Sequence, residues 1–263
     1  MSDIRLYMFQ SGYQRCKYHD IRMNQGEGSD YIIPVPWFLL THPQGNVVID
    51  GGLAVEGLKD PRAYWGPAVE QYQPIMDTNQ GCRRQLAKLG IRPESVRYVL
   101  LSHLHSDHTG AIGRFPEATH LVQRAEYDYA FSPDWFTAGA YCRKDFHREG
   151  LIWQFLAGDA DDGFDLYGDG VLKIIYTPGH SPGHQSFVVS LPSGKSFTLA
   201  IDAAYTLDHF QDKALPGLMT SASEVARSVA KLRVVTQMHN AEIIPGHDPD
   251  IWPHYAMKTE GYN

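Results

Sequence analysis

Tyr98-Val99-Leu100-Leu101-Ser102-His103-Leu104-His105-Ser106-Asp107-His108 sets the architecture of this chain. An apolar run of strand type leads without interruption into six residues of which four can ligate a transition metal. In extended backbone, residues two apart point to the same side, so His103, His105 and Asp107 can converge, while a turn at His108 hands its imidazole to a neighbouring ion. A buried strand that ends in such a cluster supplies one side of a metal site. The other ligands must come from distant loops.

Three places supply them. His180 lies in Thr177-Pro178-Gly179-His180-Ser181-Pro182-Gly183-His184, where proline and glycine tighten a turn after the strand expected at 172–176. Asp202 follows the strand expected at 196–201, and His247 sits in Pro245-Gly246-His247-Asp248 after a strand at 242–244. The expected division gives one metal to His103, His105 and His180, a second to Asp107, His108 and His247, and a bridging role to Asp202, with a shared hydroxide completing the bridge. Imidazole nitrogen and carboxylate oxygen suit zinc, iron, cobalt and manganese alike, so donor softness does not choose among them. Two divalent ions, two aspartates and one hydroxide leave a net charge of about plus one, suited to receiving an oxyanion. That balance favours hydrolysis over a redox di-iron centre, which would use more carboxylate where His105 stands.

The rest of the chain frames this site. A length of 263 residues fits one layered α/β domain. Hydrophobic residues make up 43% and charged residues 20%, which excludes disordered and fibrous classes. A formal charge of −7 without a basic stripe argues against nucleic acid or an anionic membrane as partner. No apolar run approaches the ~20 residues of a membrane span, and Met1-Ser2-Asp3-Ile4-Arg5-Leu6 carries no secretory pattern. Cys16, Cys82 and Cys142 are odd in number and far apart, so neither a disulfide framework nor a cysteine zinc site is expected, and a reducing cytoplasm fits.

Strands are expected at 4–9, 37–41, 46–50, 97–101 and 186–191, besides those named above. Asp77 and Gln80 are spaced as a capping box for a helix that Gly90 ends, and Ser221 and Glu224 cap a second helix carrying Val225, Val229 and Leu232 on one face. Residues 60–76 and 131–163, rich in Tyr, Trp, Phe and Gly, break the alternation and read as loop insertions over the site or at a subunit contact. Among the remaining aromatics and thioethers, Met23, Trp37, Phe115 and Trp135 are candidates to line an apolar pocket. His42, His120, His147, His209, His239 and His254 lack ligand partners in sequence and read as ordinary.

With these residues in hand, the chain resembles the metallo-β-lactamase superfamily through His103-Leu104-His105-Ser106-Asp107-His108, Gly179-His180, Asp202 and Gly246-His247, over nearly its whole length. The resemblance implies a single-domain αββα sandwich with a dinuclear site between its sheets. It also implies a supporting role for Asp50 in Val48-Ile49-Asp50-Gly51-Gly52, which would orient a ligand; His184 reads as packing or hydrogen-bonding behind His180 rather than binding metal. Tyr205, three residues after Asp202, is placed as in the acyl-homoserine lactone lactonases. Met23-Asn24-Gln25-Gly26, Ile33-Pro34-Val35-Pro36, Gly113-Arg114-Phe115-Pro116 and Asp202-Ala203-Ala204-Tyr205-Thr206-Leu207-Asp208-His209 look like the branch that includes γ-butyrolactone lactonases.

The implied activity is ring opening of N-acyl-homoserine lactones and simpler γ-lactones, with quorum quenching as its result. Two divalent ions serve as cofactors, zinc being the expected ion; Tyr205 donates to the developing oxyanion and Asp107 passes a proton to the leaving alkoxide. A homodimer is a further implication. Two alternatives stand beside this one. A glyoxalase II-like thioesterase would use a similar site but needs a basic patch for glutathione, and none is evident in the last sixty residues. A metal-stabilised protein that binds small signals without turning them over would have no use for Tyr205.

Overall fold

The computed structural model describes residues 4–256 and 258–263; Met1, Ser2 and Asp3 of the N-terminal motif lie outside them. Among the described residues, twelve strands form two sheets. The larger contains β1 (Arg5–Lys17), β2 (Asp30–Thr41), β3 (Asn46–Ile49), β4 (Gln73–Ile75), β5 (Val96–Leu100), β6 (Thr119–Gln123) and β7 (Ile152–Leu156), in the order β4-β1-β2-β3-β5-β6-β7. The smaller contains β8 (Phe164–Asp165), β9 (Leu172–Tyr176), β10 (Gln185–Ser190), β11 (Ser196–Ile201) and β12 (Glu242–Pro245), in the order β12-β11-β10-β9-β8.

The period-two alternation of each strand explains the layering. Leu6, Met8, Phe38, Leu40, Val47, Ile49, Leu100 and Leu121 face inward from the larger sheet and meet Leu172, Ile174, Phe187, Val189, Phe197, Leu199, Ile201 and Ile244 from the smaller. The intervening positions Phe9, Trp37, Leu39, Val48, Val99, Leu101 and Val122 turn to the opposite face, where Cys82 and Leu86 of the helix Cys82–Lys88, Ala130 of the helix Arg124–Phe131 and Phe146 cover them. Leu232 of the 17-residue helix Ala222–Met238 covers Ile175, Val188 and Ala200 on the outer face of the smaller sheet. The result is helices, sheet, sheet, helix: an αββα sandwich. Strands buried on both faces have no polar side, which is why they read in sequence as continuous apolar runs.

Local signals explain most element ends. Ser221 Oγ accepts the Glu224 N–H at the start of the long helix. Asp77 and Gln80 do form a reciprocal cap, but on a single 3₁₀ turn, Thr78–Gln80, from which Gly81 leads into Cys82–Lys88. Two differences from expectation matter for the site. Strands β1 and β2 run on well beyond 4–9 and 37–41, through an irregularity between Gln10 and Tyr13, into a long hairpin. Pro34 and Pro36 are tolerated there because β3 pairs only with Phe38, Leu39 and Leu40, so nothing needs their missing N–H groups on that side. Second, residues 131–163 are not all insertion: Ile152–Leu156 is β7, the parallel edge strand beside β6. Its half-exposed Trp153 and Phe155 pack on Tyr127, an edge pattern that resembles loop composition.

Candidate metal centre and active-site cleft

The strands that lead to the candidate ligands share a direction. β3 and β5 are parallel, β11 and β12 are parallel, and β9 is antiparallel to β10, which is antiparallel to β11. Asp50, the 102–108 loop, His180, Asp202 and His247 therefore all follow C-terminal strand ends and emerge at one edge of the sandwich, the usual place for sites on a rigid sheet.

There the seven side chains meet in two groups, His103, His105, His180 and Asp202 in one and Asp107, His108 and His247 in the other. His180 Nε2 lies 3.2 Å from His103 Nε2 and 2.9 Å from His105 Nδ1, and Asp202 Oδ2 lies 3.3 Å from His180 Nε2 and 3.7 Å from His103 Nε2. Ligands about 2.0–2.1 Å from a tetrahedral ion stand about 3.3 Å apart, and these gaps bracket that value. In the second group His108 Nε2 is 3.6 Å from Asp107 Oδ1, and His247 Nε2 is 3.7 Å from Asp107 Oδ2. Asp202 reaches both groups, with Oδ2 3.5 Å from His108 Nε2 and Oδ1 3.1 Å from His247 Nε2.

The chemistry of these atoms fits cations. Among the described residues, His108 Nε2 and Asp202 Oδ1 are buried without a hydrogen-bond partner, a costly state unless something else satisfies them. Burial, reinforced by the imidazoles of His108 and His105, holds His103 well below the ordinary histidine value, and burial with His180 does the same for His105. Both keep the neutral lone pairs a metal needs. Burial opposes ionisation of Asp202, yet His247, His108 and His180 hold it well below the usual carboxylate range. At His108 burial is outweighed by Asp202, Asp107 and Asp50, which raise it well above its ordinary value. Carboxylates so placed call for positive charge beside them.

The far nitrogen of four imidazoles is held by protein, which fixes ring orientation. Asp50 accepts from Ser102 N and Oγ at 2.8 and 2.9 Å and pairs with His108 Nδ1 at 2.9 Å, while Ser102 Oγ also touches His103 Nδ1. The carbonyls of Leu218 and Pro34 take His180 Nδ1 at 3.0 Å and His247 Nδ1 at 2.8 Å. His184, lowered to about 3 by burial and by His180, accepts the Asp202 N–H at 3.1 Å. Gly246 must lack a side chain, because a Cβ there would stand 2.5 Å from Ile201 O and 2.9 Å from Asp202 Oδ1. Ile201 itself adopts φ 49°, a strained value for a β-branched residue, and this turn aims Asp202 inward.

Glu126, which no local motif flags, ties the two ligand loops together. Its buried carboxylate accepts from Leu104 N at 3.0 Å, between His103 and His105, and from Gly183 N at 3.2 Å, beyond His180. Asp145 plays a similar part, accepting from Thr109 Oγ1 at 2.7 Å and from Tyr64 OH at 2.6 Å.

A cleft opens over the centre. His105, Asp107, Asp202, Tyr205 and His247 lie on its floor, and Ile21, Ile33, Leu53, Trp65, Val69 and Leu218 supply apolar wall. None of the four pocket candidates is there. Trp37 and Phe115 belong to the core under the helices, Trp135 is 89% exposed, and Met23 lies on a different surface. Alternation along β2 turns Trp37 into the core, whereas the wall comes from the hairpin extension, from residues 61–75 and from Leu53 and Leu218. Tyr205 is buried, its hydroxyl 3.2 Å from His180 Nδ1 and 3.5 Å from Leu218 O. Burial and then Asp202 raise its phenol well above the ordinary value, so it keeps its proton. The remaining histidines join neither group; His209, for instance, caps the turn at Thr206 and meets Ile21 O.

The N-acyl homoserine lactonase AttM of Agrobacterium fabrum is 58% identical to this chain over 262 residues, all of both proteins. AiiA, an N-acyl homoserine lactonase of Bacillus thuringiensis subsp. kurstaki, is 28% identical over 93% of each. A solved N-acyl homoserine lactone hydrolase, with N-hexanoyl-L-homoserine bound at its catalytic metal centre, superposes with a TM-score of 0.82 at 27% identity over 94% of each chain. The dizinc lactonase AidC, at 17% identity and a TM-score of 0.67 over 97% of this chain and 92% of its own, shares the fold. The model of the metallo-beta-lactamase superfamily matches residues 31–247, from the strand that carries Pro34 to the last histidine of the centre, and this chain belongs to that superfamily.

Proposed function

We propose that this chain hydrolyses the ring of N-acyl homoserine lactones, and of simpler γ-lactones, to the open hydroxy acids, a quorum-quenching activity. The observation that carries this is full-length identity of 58% to a lactonase of that substrate class, in a chain whose two His/Asp groups lie beneath one cleft. In this scheme His103, His105 and His180 would hold one divalent ion and Asp107, His108 and His247 the other, with Asp202 within reach of both groups. Zinc suits the donor set, as do iron, cobalt and manganese. When bound, the ions supply Lewis acidity that polarises the ester carbonyl and lowers the pKa of water from about 15.7 toward about 7.

The chain's own groups do the rest. Tyr205, kept protonated, donates a hydrogen bond to the lactone carbonyl oxygen as negative charge gathers there. Asp107, on the cleft floor, takes the proton that the attacking water gives up and delivers it to the ring oxygen as its bond to the carbonyl carbon breaks. A water oxygen bonds to that carbon, and the ring oxygen leaves as the product's hydroxyl. Asp50, His184 and Glu126 hold ligands and loops in place and touch no substrate. Three free, buried thiols suit a reducing cytoplasm.

Acid release from metal-loaded protein tests the assignment with N-hexanoyl homoserine lactone, γ-butyrolactone and a glutathione thioester. Sustained release from the lactones is expected. Release from the thioester alone would make the chain a thioesterase, and lactone binding without turnover would make it a binding protein.

A further inference from the structure

Beyond the bend between Gln10 and Tyr13, the β1–β2 hairpin and β4 form one wall of the cleft, with Gln14 paired across to Ile33 on one side and Pro74 on the other. All three line the cavity. Gln14 is 4% exposed, in a wall otherwise built of Ile21, Ile33, Val69, Pro74 and Leu218. Its Oε1 is buried and, among the described residues, has no hydrogen-bond partner. Two more residues that line this cavity, Tyr72 and Trp65, likewise carry a buried polar group without a partner, the hydroxyl and the indole N–H. Tyr72 packs against the small cluster of Cys16, Ile21, Ile33 and Tyr205. Its phenol is raised well above the ordinary value, first by burial, which keeps its proton on.

Three unsatisfied polar groups on residues around one cleft cost stability with no return inside the protein. They make sense if a ligand satisfies them. The set is one acceptor and two donors, and a secondary amide offers the complement: one N–H and one carbonyl oxygen with two lone pairs. Resting on the lactonase assignment above, we propose that Gln14, Tyr72 and Trp65 form a subsite that recognises the exocyclic amide of an N-acyl lactone, so that the cleft selects amide-bearing lactones over lactones that carry only alkyl chains. Gln14 accepts the amide N–H, and the phenol and indole donate to the amide carbonyl. These are specificity residues, separate from the proton-handling pair Asp107 and Tyr205. A site built around such bonds rejects a ligand lacking the partner group, because its own buried groups are then left unpaired.

The test compares kcat/KM of metal-loaded wild type, Gln14→Leu and Tyr72→Phe on N-hexanoyl homoserine lactone and on α-hexyl-γ-butyrolactone, which keeps the ring and tail and lacks the amide. In each variant the loss on the amide substrate should exceed the loss on the alkyl lactone about tenfold. Gln14→Leu should also melt at or above the wild-type temperature, since it removes an unpaired polar group from an apolar wall. Tyr72→Phe removes a single oxygen and preserves the packing. Equal losses on both substrates, or no loss on either, would overturn the subsite. So would a wild type that opens the alkyl lactone and not the amide, although the lactonase assignment would survive. Failure of the wild type on both lactones would remove the assignment and the subsite with it.

Discussion

Replacing Glu126 by Gln tests whether the metal centre depends on a residue that touches neither metal ligands nor substrate. Glu126 Oε1 accepts from Leu104 N and from Tyr141 OH at 3.0 and 3.1 Å, and Oε2 accepts from Gly183 N at 3.2 Å. Burial pushes this carboxyl above its ordinary value, while those donors and Ser181 pull it back. A carboxamide of the same shape has only one acceptor oxygen. Whichever way it turns, its NH₂ faces a backbone N–H, and one buried donor is orphaned at a cost of about 1–3 kcal/mol. The two affected N–H groups belong to the loops carrying His103, His105 and His180, so ligand placement should loosen and metal affinity fall about 10–100-fold. Denaturant unfolding of metal-stripped protein measures the first effect, and competition with a chelator of known affinity measures the second. Wild-type metal affinity in a clearly destabilised variant would reduce Glu126 to a structural staple. Wild-type values in both would mean that the loops hold themselves.

Asp107→Asn should lower kcat about 10²-fold or more while shifting the unfolding midpoint little, because Asp107 lies at the cleft floor and is partly exposed; parallel losses in rate and stability would take proton transfer away from it. Tyr205→Phe should reduce kcat about 10²-fold with a much smaller change in KM, as expected for a donor engaged in the transition state, and an unaltered kcat would remove the phenol from the chemistry. Chelation should abolish turnover and lower the melting temperature, since lone pairs 2.9–3.2 Å apart then face each other without a cation, and added zinc should restore both, by about 4 kcal/mol at a thousandfold excess over Kd. Full activity in protein shown to be metal-free would refute the scheme.

The candidate ligands were legible in the chain because most are written next to local punctuation. An apolar strand runs into His103-Leu104-His105-Ser106-Asp107-His108, Pro178 and Gly179 precede His180, and Pro245 and Gly246 precede His247. Apolar runs and capping residues marked most strands and the long helix for the same reason: their determinants lie within a few positions of one another. The edge strand β7 escaped because half-exposed aromatics at a sheet margin have the composition of a loop.

What supports the ligands, and what shapes the cleft, depends on partners far away in sequence. Glu126 acts on Leu104 and Gly183, the Pro34 carbonyl on His247 and the Leu218 carbonyl on His180, and backbone carbonyls carry no residue identity to read. Met23, Trp37, Phe115 and Trp135 have pocket-like chemistry, but pairing register and layer order sent two of them to the core and two elsewhere on the surface. Gln14 looks like any polar strand residue until the register sets it between Ile33 and Pro74 and buries it. The chain alone determined which atoms can bind a cation, because that is a property of side-chain type and local spacing. The tertiary structure decided which atoms are left unpaired around a substrate, because that follows only from what packs against what.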